Sequence, residues 1–285
     1  MRLDDLIVPG TGPEVVGTGY GFTEGPAADA RGNVYFSDGR NDSIYYVEFG
    51  RAPVLFTDDS TDPNGMIFNT RGELVVCEGA AYRVVAFDVE RQRKRVLCRE
   101  FGGVRFNEPN DVAVDHHDGF YFSDPNYQHR GQPTVRKQDV YYCTCGGQVS
   151  RVSTVCFKPN GVLLSADARA LYVADARGQR IYRYDVTGPG RLENETLWID
   201  RLGANPDGMT LDERGNLYVC CNRGGVRIYD RAGQPIGRLD IQAANACFGG
   251  PGFTTLMLAS GERFLALPTK VTGVKPPPLW GRAES

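Results

Sequence analysis

Histidine and tryptophan are scarce in this chain of 285 residues: it holds three of the first and two of the second. So few histidines leave little for a His-rich metal centre or a histidine-driven nucleophile, and no Gly-x-Ser-x-Gly elbow occurs. Long apolar runs are missing too. No stretch approaches the ~18 residues that a membrane-crossing helix needs. Met1 to Pro9 lacks the apolar core of about 7–15 residues that marks a secretory leader. Helical periodicity over ten or more residues appears nowhere. Charge of one sign is not in excess: the net charge is −3, and the densest basic stretch, Arg91-Gln92-Arg93-Lys94-Arg95, reads as a solvated turn with its flanking strand. That excludes a nucleic-acid footprint. The expectations are a cytoplasmic protein with no nucleic acid or membrane partner, a monomer or homodimer, its eight cysteines reduced and mostly small core residues.

Glycine is what the chain has in quantity, 35 residues, and it recurs in a pattern. Laid on itself, the sequence repeats a polar corner, a short strand, a tight turn and a second strand. The corners are Glu24-Gly25, Asn64-Gly65, Asn110-Asp111, Asn160-Gly161, Asp207-Gly208 and, most weakly, Phe248-Gly249, in steps of 40, 46, 50, 47 and 41 residues. Those are propeller-blade periods. Turns such as Asp29-Ala30-Arg31-Gly32-Asn33 and Asp212-Glu213-Arg214-Gly215-Asn216 follow, with a side-chain acceptor to open and a glycine to close. Second strands are β-branched and aromatic, as in Val34-Tyr35-Phe36 and Leu217-Tyr218-Val219. The expected fold is all-β: one six-bladed β-propeller of four-stranded blades over about 14–268, with a Pro-rich tail over 269–285. An N-terminal strand, Glu14-Val15-Val16-Gly17, would complete the last blade and close the ring. Lys275 to Trp280 reads as a polyproline II segment that docks on its own propeller or on another subunit.

Strand direction puts the opening residue of every first strand near the axis, on one face. Glu24, Asn64, Asn110, Asn160, Asp207 and Phe248 therefore converge. Five of these six carry hard oxygen donors. Such a set suits one divalent cation, Ca²⁺ foremost, with Mg²⁺, Mn²⁺ or Zn²⁺ as alternatives, whereas zinc more often recruits His or Cys. Asp207 alone differs from the three asparagines in being able to accept a proton as well as bind metal, and Glu24 is the other carboxylate. The long link from about Asp124 to Gln138 falls on the same face and reads as a lid or specificity element, bringing His129 with it.

Phe22-Thr23-Glu24-Gly25-Pro26, Pro109-Asn110-Asp111-Val112, Pro159-Asn160-Gly161 and Pro206-Asp207-Gly208-Met209, in this order, resemble the senescence-marker-protein/gluconolactonase (regucalcin-like) family. The resemblance covers about 14–268. It implies a six-bladed propeller with an axial divalent metal that hydrolyses a sugar lactone. It implies metal ligation by Glu24, Asn160 and Asp207, with Asn110 completing the metal shell or binding substrate, and Asp207 as general base. Asp124-Pro125-Asn126-Tyr127 looks like a variant of the Asp-Pro-Pro-Tyr segment of bacterial members, which puts Asp124 and Tyr127 at the substrate; Asn64 joins the substrate set on the repeat alignment alone. The sequence departs from the animal sugar lactonases at Glu108, where those have an arginine that contacts the sugar. Three functions stay open: hydrolysis of a sugar lactone or related ester, with metal polarising the carbonyl and Asp207 assisting water; a metal-dependent arylesterase or phosphotriesterase; and a ligand-binding propeller with a structural metal.

Overall fold

A computed structural model describes residues 1–277. Apart from three short 3₁₀ turns the described residues are strand and connection. Four sheets have four strands each, in simple antiparallel order. They are Pro63–Phe68 to Arg93–Cys98, Val112–Val114 to Val149–Ser153, Pro159–Leu164 to Arg191–Ile199 and Met209–Leu211 to Pro235–Leu239. A fifth sheet has six strands, and a small hairpin, Glu100–Phe101 with Val104–Arg105, adds two more. No helix among the described residues is long and apolar enough to cross a membrane.

The larger sheets number five, where six separate ones were expected. The cause is one continuous strand, Glu14–Ala28. Its first part pairs with Thr255–Pro268 (Glu14 opposite Ala266, Val15 opposite Leu265). Its last part pairs with Val34–Asp38 as the inner strand of the first repeat. The first and last repeats therefore merge into a single sheet, and the N-terminal strand ties the chain's two ends together. A bridge from Ile7 to Thr269 and a bond from the Lys270 amide to the Leu6 carbonyl reinforce the seam.

Apolar residues of adjacent sheets meet face to face. Tyr121, Val140, Val162, Leu171 and Val173 form one such layer, and Val75, Phe106, Phe122 and Tyr141 another. Each large side chain buried in this way contributes ~1.5–3 kcal/mol, and the two sides supply each other's cover. Small residues take over near the axis. A Cβ on Gly161 would stand well inside contact distance of the Asp207 carbonyl oxygen, and one on Gly65 would lie 2.7 Å from the carbonyl oxygen of Asn110. The glycine that follows four of the five polar corners is thus a spacing requirement, and the corner side chain beside it is left to point at the axis.

An acidic brace recurs on the same face. Asp38 accepts from the amides of Gly21 and Phe22, Asp124 from Asn107 and Glu108, and Asp175 from Phe157 and Lys158. In each case the last carboxylate of a second strand holds the chain just before the corner of its own blade.

The opposite end of the axis is apolar. Val274 to Pro277 lie across a cavity of about 120 Å³ bordered by Phe68, Val114, Leu164 and Leu211. The tail is fastened by the Val274 amide on the Leu211 carbonyl and by the Glu213 amide on the Thr272 carbonyl. As far as Pro277 the tail docks on its own chain; the docking expected of Leu279 and Trp280 lies outside the described residues.

Gly161→Ala is expected to lower unfolding stability by about 1–3 kcal/mol, because the atom it meets is backbone and cannot rotate away. Urea denaturation of the purified variant measures this, and an unchanged midpoint would remove the spacing argument.

Candidate active site

Five corner residues expected on one face, Glu24, Asn64, Asn110, Asn160 and Asp207, line a single cavity of about 880 Å³, with Tyr127 on its wall. The sixth corner is a correction. In the sheet from Met209–Leu211 to Pro235–Leu239 the Asp207 amide bonds to the Cys220 carbonyl, and the matching bond in the last repeat runs from Ala244 to Ala259. The sixth axial position is therefore Ala244, four residues before Phe248. Phe248 sits in the apolar core near the far end of the axis. The last repeat lacks the Pro-Asn-Gly corner, so nothing in its sequence anchors the alignment.

Glu24 is almost fully buried. Burial raises its carboxyl well above the usual range; Asp207 and, further off, Asp111 raise it more, while the Gly25 amide and Asn245 favour the charged form. Asp207 is partly exposed at the cavity floor, and desolvation lifts it to about 7 against the opposing pull of Asn160 and Asn222. Asn222 donates through Nδ2 to Asp207 Oδ2 at 2.5 Å. Asp111 is likewise lifted to about 7 by burial. Asn160 donates through Nδ2 to the Tyr127 hydroxyl at 2.7 Å, which leaves its Oδ1 as the atom available to a cation. Asn110 Oδ1 is buried with no hydrogen-bond partner. An orphaned buried acceptor on the same cavity as two carboxylates raised by burial, Glu24 further by Asp207 and Asp207 further by Asp111, is a donor set that a divalent cation fits.

Asp124, expected at the substrate, is fully buried and does not line the cavity; its carboxylate is committed to the Asn107 and Glu108 amides. Burial raises it to about 7. The same segment nevertheless delivers Tyr127 to the wall. Its phenol is pushed well up by burial. The Lys158 ammonium sits 4.3 Å from the ring centroid, and burial pushes that lysine down from its usual range.

Glu108 holds the link from Asp124 to Gln138. Its carboxylate accepts from the amides of Tyr127, Gln128 (3.1 Å) and His129 (3.2 Å) and from Gln132 Nε2 (3.0 Å). Where the animal enzymes of the resembled family have a sugar-contacting arginine, this chain has an anchor for a loop. Arg105 does not replace that arginine: it stacks 3.8 Å over Tyr82 and donates to the Phe106 carbonyl. His129 Nδ1 lies 3.4 Å from Asp62 and 3.2 Å from Glu108. Its bond to Asp62 raises the imidazole against the effect of burial. Asp62, Glu108 and His129 bring potential ligand atoms within 4.8 Å of one another, a second place where a metal could sit, although the Glu108 oxygens are already taken up by the loop.

The repeat alignment missed Lys158, Arg177, Asn222 and Arg223, which also line the cavity. Lys158 stands two residues before the Asn160 corner and Asn222 two residues beyond Cys220. Arg177 and Arg223 lie in the links between second and third strands, the same connection that flagged the Asp124–Gln138 loop, but here too short to draw notice.

A family model described as the SMP-30/Gluconolactonase/LRE-like region matches residues 22–262. The chain belongs to that family. Among its relatives, a gluconolactonase of Zymomonas mobilis is 26% identical over 305 aligned positions, covering 95% of this chain and 85% of that protein. Lactonase drp35 of Staphylococcus saprophyticus is 26% identical, covering 76% and 68% respectively. A solved gluconolactonase structure from Xanthomonas campestris superposes with a TM-score of 0.85 at 23% identity, over 94% of this chain and 92% of that one. The last comparison supports the fold alone.

Glu108→Ala is expected to release the loop: amide hydrogen exchange at Tyr127, Gln128 and His129 rises while the blade strands stay protected. Uniform loss of protection would show instead that Glu108 supports the whole sheet.

Proposed function

We propose that this protein is a divalent-metal-dependent hydrolase of a sugar lactone or related lactone, with Glu24, Asn110, Asn160 and Asp207 holding the cation. The observation that carries the reading is the convergence of these four side chains on one cavity, with Asn110 Oδ1 orphaned and two carboxylates desolvated together. Membership in a family with gluconolactonase and lactonase relatives supports the reaction class. Ca²⁺ suits an all-oxygen donor set with two carboxylates. The ring remains the proposed site in preference to the Asp62–Glu108–His129 cluster, because its acceptors are open and lie on the large cavity.

When bound, the cation supplies a Lewis acid for the lactone carbonyl oxygen. The protein's own groups do the rest. Asp207 takes a proton from the attacking water as the water oxygen adds to the carbonyl carbon. Asn222 fixes the orientation of that carboxylate. The ring C–O bond then breaks, its oxygen takes the proton held by Asp207, and a hydroxy acid leaves. Tyr127, locked by Asn160 and backed by Lys158, closes one side of the cavity and limits how the lactone ring can lie. A cation lowers the basicity of any carboxylate it touches, so the high starting point of Asp207 leaves it more proton affinity than an exposed aspartate would keep. On this reading the sheet shared by the first and last repeats serves as two blades of a six-repeat ring.

Two measurements test the proposal. In the metal-free protein Glu24, Asp111 and Asp207 titrate above their unfolded values, so the folded state holds more protons than the unfolded state between pH ~4 and ~7 and stability falls as pH rises through that window. A cation must displace those protons. Thermal unfolding should therefore show a larger stabilisation by added Ca²⁺ at pH 8 than at pH 5.5; equal shifts at both would detach the carboxylates from the metal. Second, a panel of lactones, aryl esters and phosphotriesters should show chelator-sensitive lactone turnover that Asp207→Asn lowers by about 10²–10⁴-fold. Turnover confined to esters or phosphotriesters, or to none of the panel with metal still bound, would replace the reading with an esterase or a binding propeller.

A further inference from the structure

The cavity floor is acidic but one wall is basic. Lys158, Arg177 and Arg223 all line it. They come from neighbouring repeats: Lys158 and Arg177 flank the strands Pro159–Leu164 and Ala170–Asp175, and Arg223 follows Leu217–Cys220. The charges therefore collect on one side of the axis, beside Tyr127. Among the described residues, none of the three forms an ion pair or hydrogen bond with a carboxylate. Elsewhere in the chain Arg83, Lys94, Arg95, Arg130 and Arg183 do have carboxylate partners. Arg177 lies close enough for its charge to bear unfavourably on Lys158, and the carboxylate whose field reaches that lysine, Glu108, is engaged by the loop amides. Among the described residues Glu24 and Asp207 are the only carboxylates on the cavity lining, and both belong to the proposed cation site. With a divalent cation there, the floor is neutral and the wall keeps three uncompensated positive charges, in a protein whose net charge is −3.

We propose that the substrate is an anionic lactone, one that carries a carboxylate or phosphate away from the ring carbonyl, and that Lys158, Arg177 and Arg223 bind this group. The inference rests on the lactonase reading and adds the substrate's charge to it. Two guanidinium forks and an ammonium match either oxyanion, the arginines by paired N–H donors and the lysine as a point charge. Arg177 and Arg223 are exposed at the cavity and Lys158 is half-buried; an uncharged aldonolactone leaves all three without a counter-charge, and an oxyanion supplies one. The Asp124–Gln138 loop contributes Tyr127 and His129 from the neighbouring side, so the anion has one clear direction in which to lie, and the lactone carbonyl is directed to the floor.

The test uses the full-length, Ca²⁺-loaded protein and three probes: a neutral aldonolactone, an aldarolactone with a free carboxylate and a 6-phospho-aldonolactone. One or both anionic probes should exceed the neutral lactone in kcat/KM by tenfold or more, mainly through KM, and the probe that wins identifies the oxyanion. The advantage should shrink as ionic strength rises. Arg177→Ala and Arg223→Ala should each pull the anionic-to-neutral ratio toward one, with partial recovery in Arg177→Lys. A ratio near one in the wild type, or a high ratio that survives both alanine changes, would overturn the proposal. The same variants are titrated with two ring-opened acids, an aldonate and an aldarate, by calorimetry. Tighter aldarate binding that depends on Arg177 and Arg223 supports the wall even where no lactone turns over, which separates failure of the lactonase reading from failure of this one. Equal affinity for the two acids, with a 6-phospho-aldonate binding no more tightly than either, overturns it.

Discussion

The inner strands come so close at the axis that there is no room for a side chain between them. Gly25, Gly65, Gly161 and Gly208 occupy the tight positions, each in contact with the backbone or side chain of the next repeat. Where Asp111 replaces the glycine, its carboxylate reaches across to the amide of Val162 and becomes part of the inter-strand bonding. The residue preceding each tight position then has one open direction, toward the axis and the cavity above it. A packing constraint on the backbone thereby becomes a chemical one: five side chains from five distant parts of the chain are delivered to one place, on strands too rigid to withdraw them.

That delivery is costly. Burying Glu24, Asp111 and Asp207 near one another disfavours their charged forms and raises all three, and the protein answers with the Asn245, Asn160 and Asn222 amides and with backbone donors. The acidic residues elsewhere on the same face are treated differently. Asp38 and Asp175 each receive two backbone amides, and Glu78 meets Arg83 and Lys94. Carboxylates that brace the fold are satisfied within the fold. On the cavity floor Glu24 and Asp207 are raised by burial despite their amide donors, and Asn110 Oδ1 has no donor at all; that combination distinguishes a site from a structural cluster.

The axial ring was legible in the sequence because it depends on local pattern repeated at blade spacing: a polar residue, a glycine, a strand, a turn. Glu24, Asn64, Asn110, Asn160 and Asp207 all follow from it. Its failures have equally local causes. The sixth repeat carries Ala244 without the corner motif, so Phe248 was taken in its place. Asp124 has a residue type suited to binding, but whether a carboxylate faces substrate or the amides before its own corner depends on strand pairing, which composition does not reveal. The seam strand Glu14–Ala28 could be seen to close the ring but not to fuse two repeats into one sheet, since continuity through Thr18–Thr23 is a matter of backbone register. Lys158, Arg177, Asn222 and Arg223 sit in irregular links with no periodic signal at all.

The division of charge inside the cavity links the proposed metal to the proposed substrate. Without a cation the floor is held by carboxylates that either repel an oxyanion or carry protons. With one, the same floor is neutralised, and the field felt inside the cavity is that of Lys158, Arg177 and Arg223. An anionic lactone entering the loaded site meets attraction from the wall while its carbonyl meets the floor, so two points of contact with opposite chemical demands set one orientation. A neutral lactone has only the floor to orient it. The fold keeps the two requirements apart by building them from different parts of the repeat: the floor from the corners before the first strands, whose spacing is fixed by the axis, and the wall from residues flanking those corners and from the links behind them, where the chain is free to vary. Chemistry and selectivity can then change separately, because Arg177 and Arg223 lie in links between strands and not on the inner strands that carry the corners.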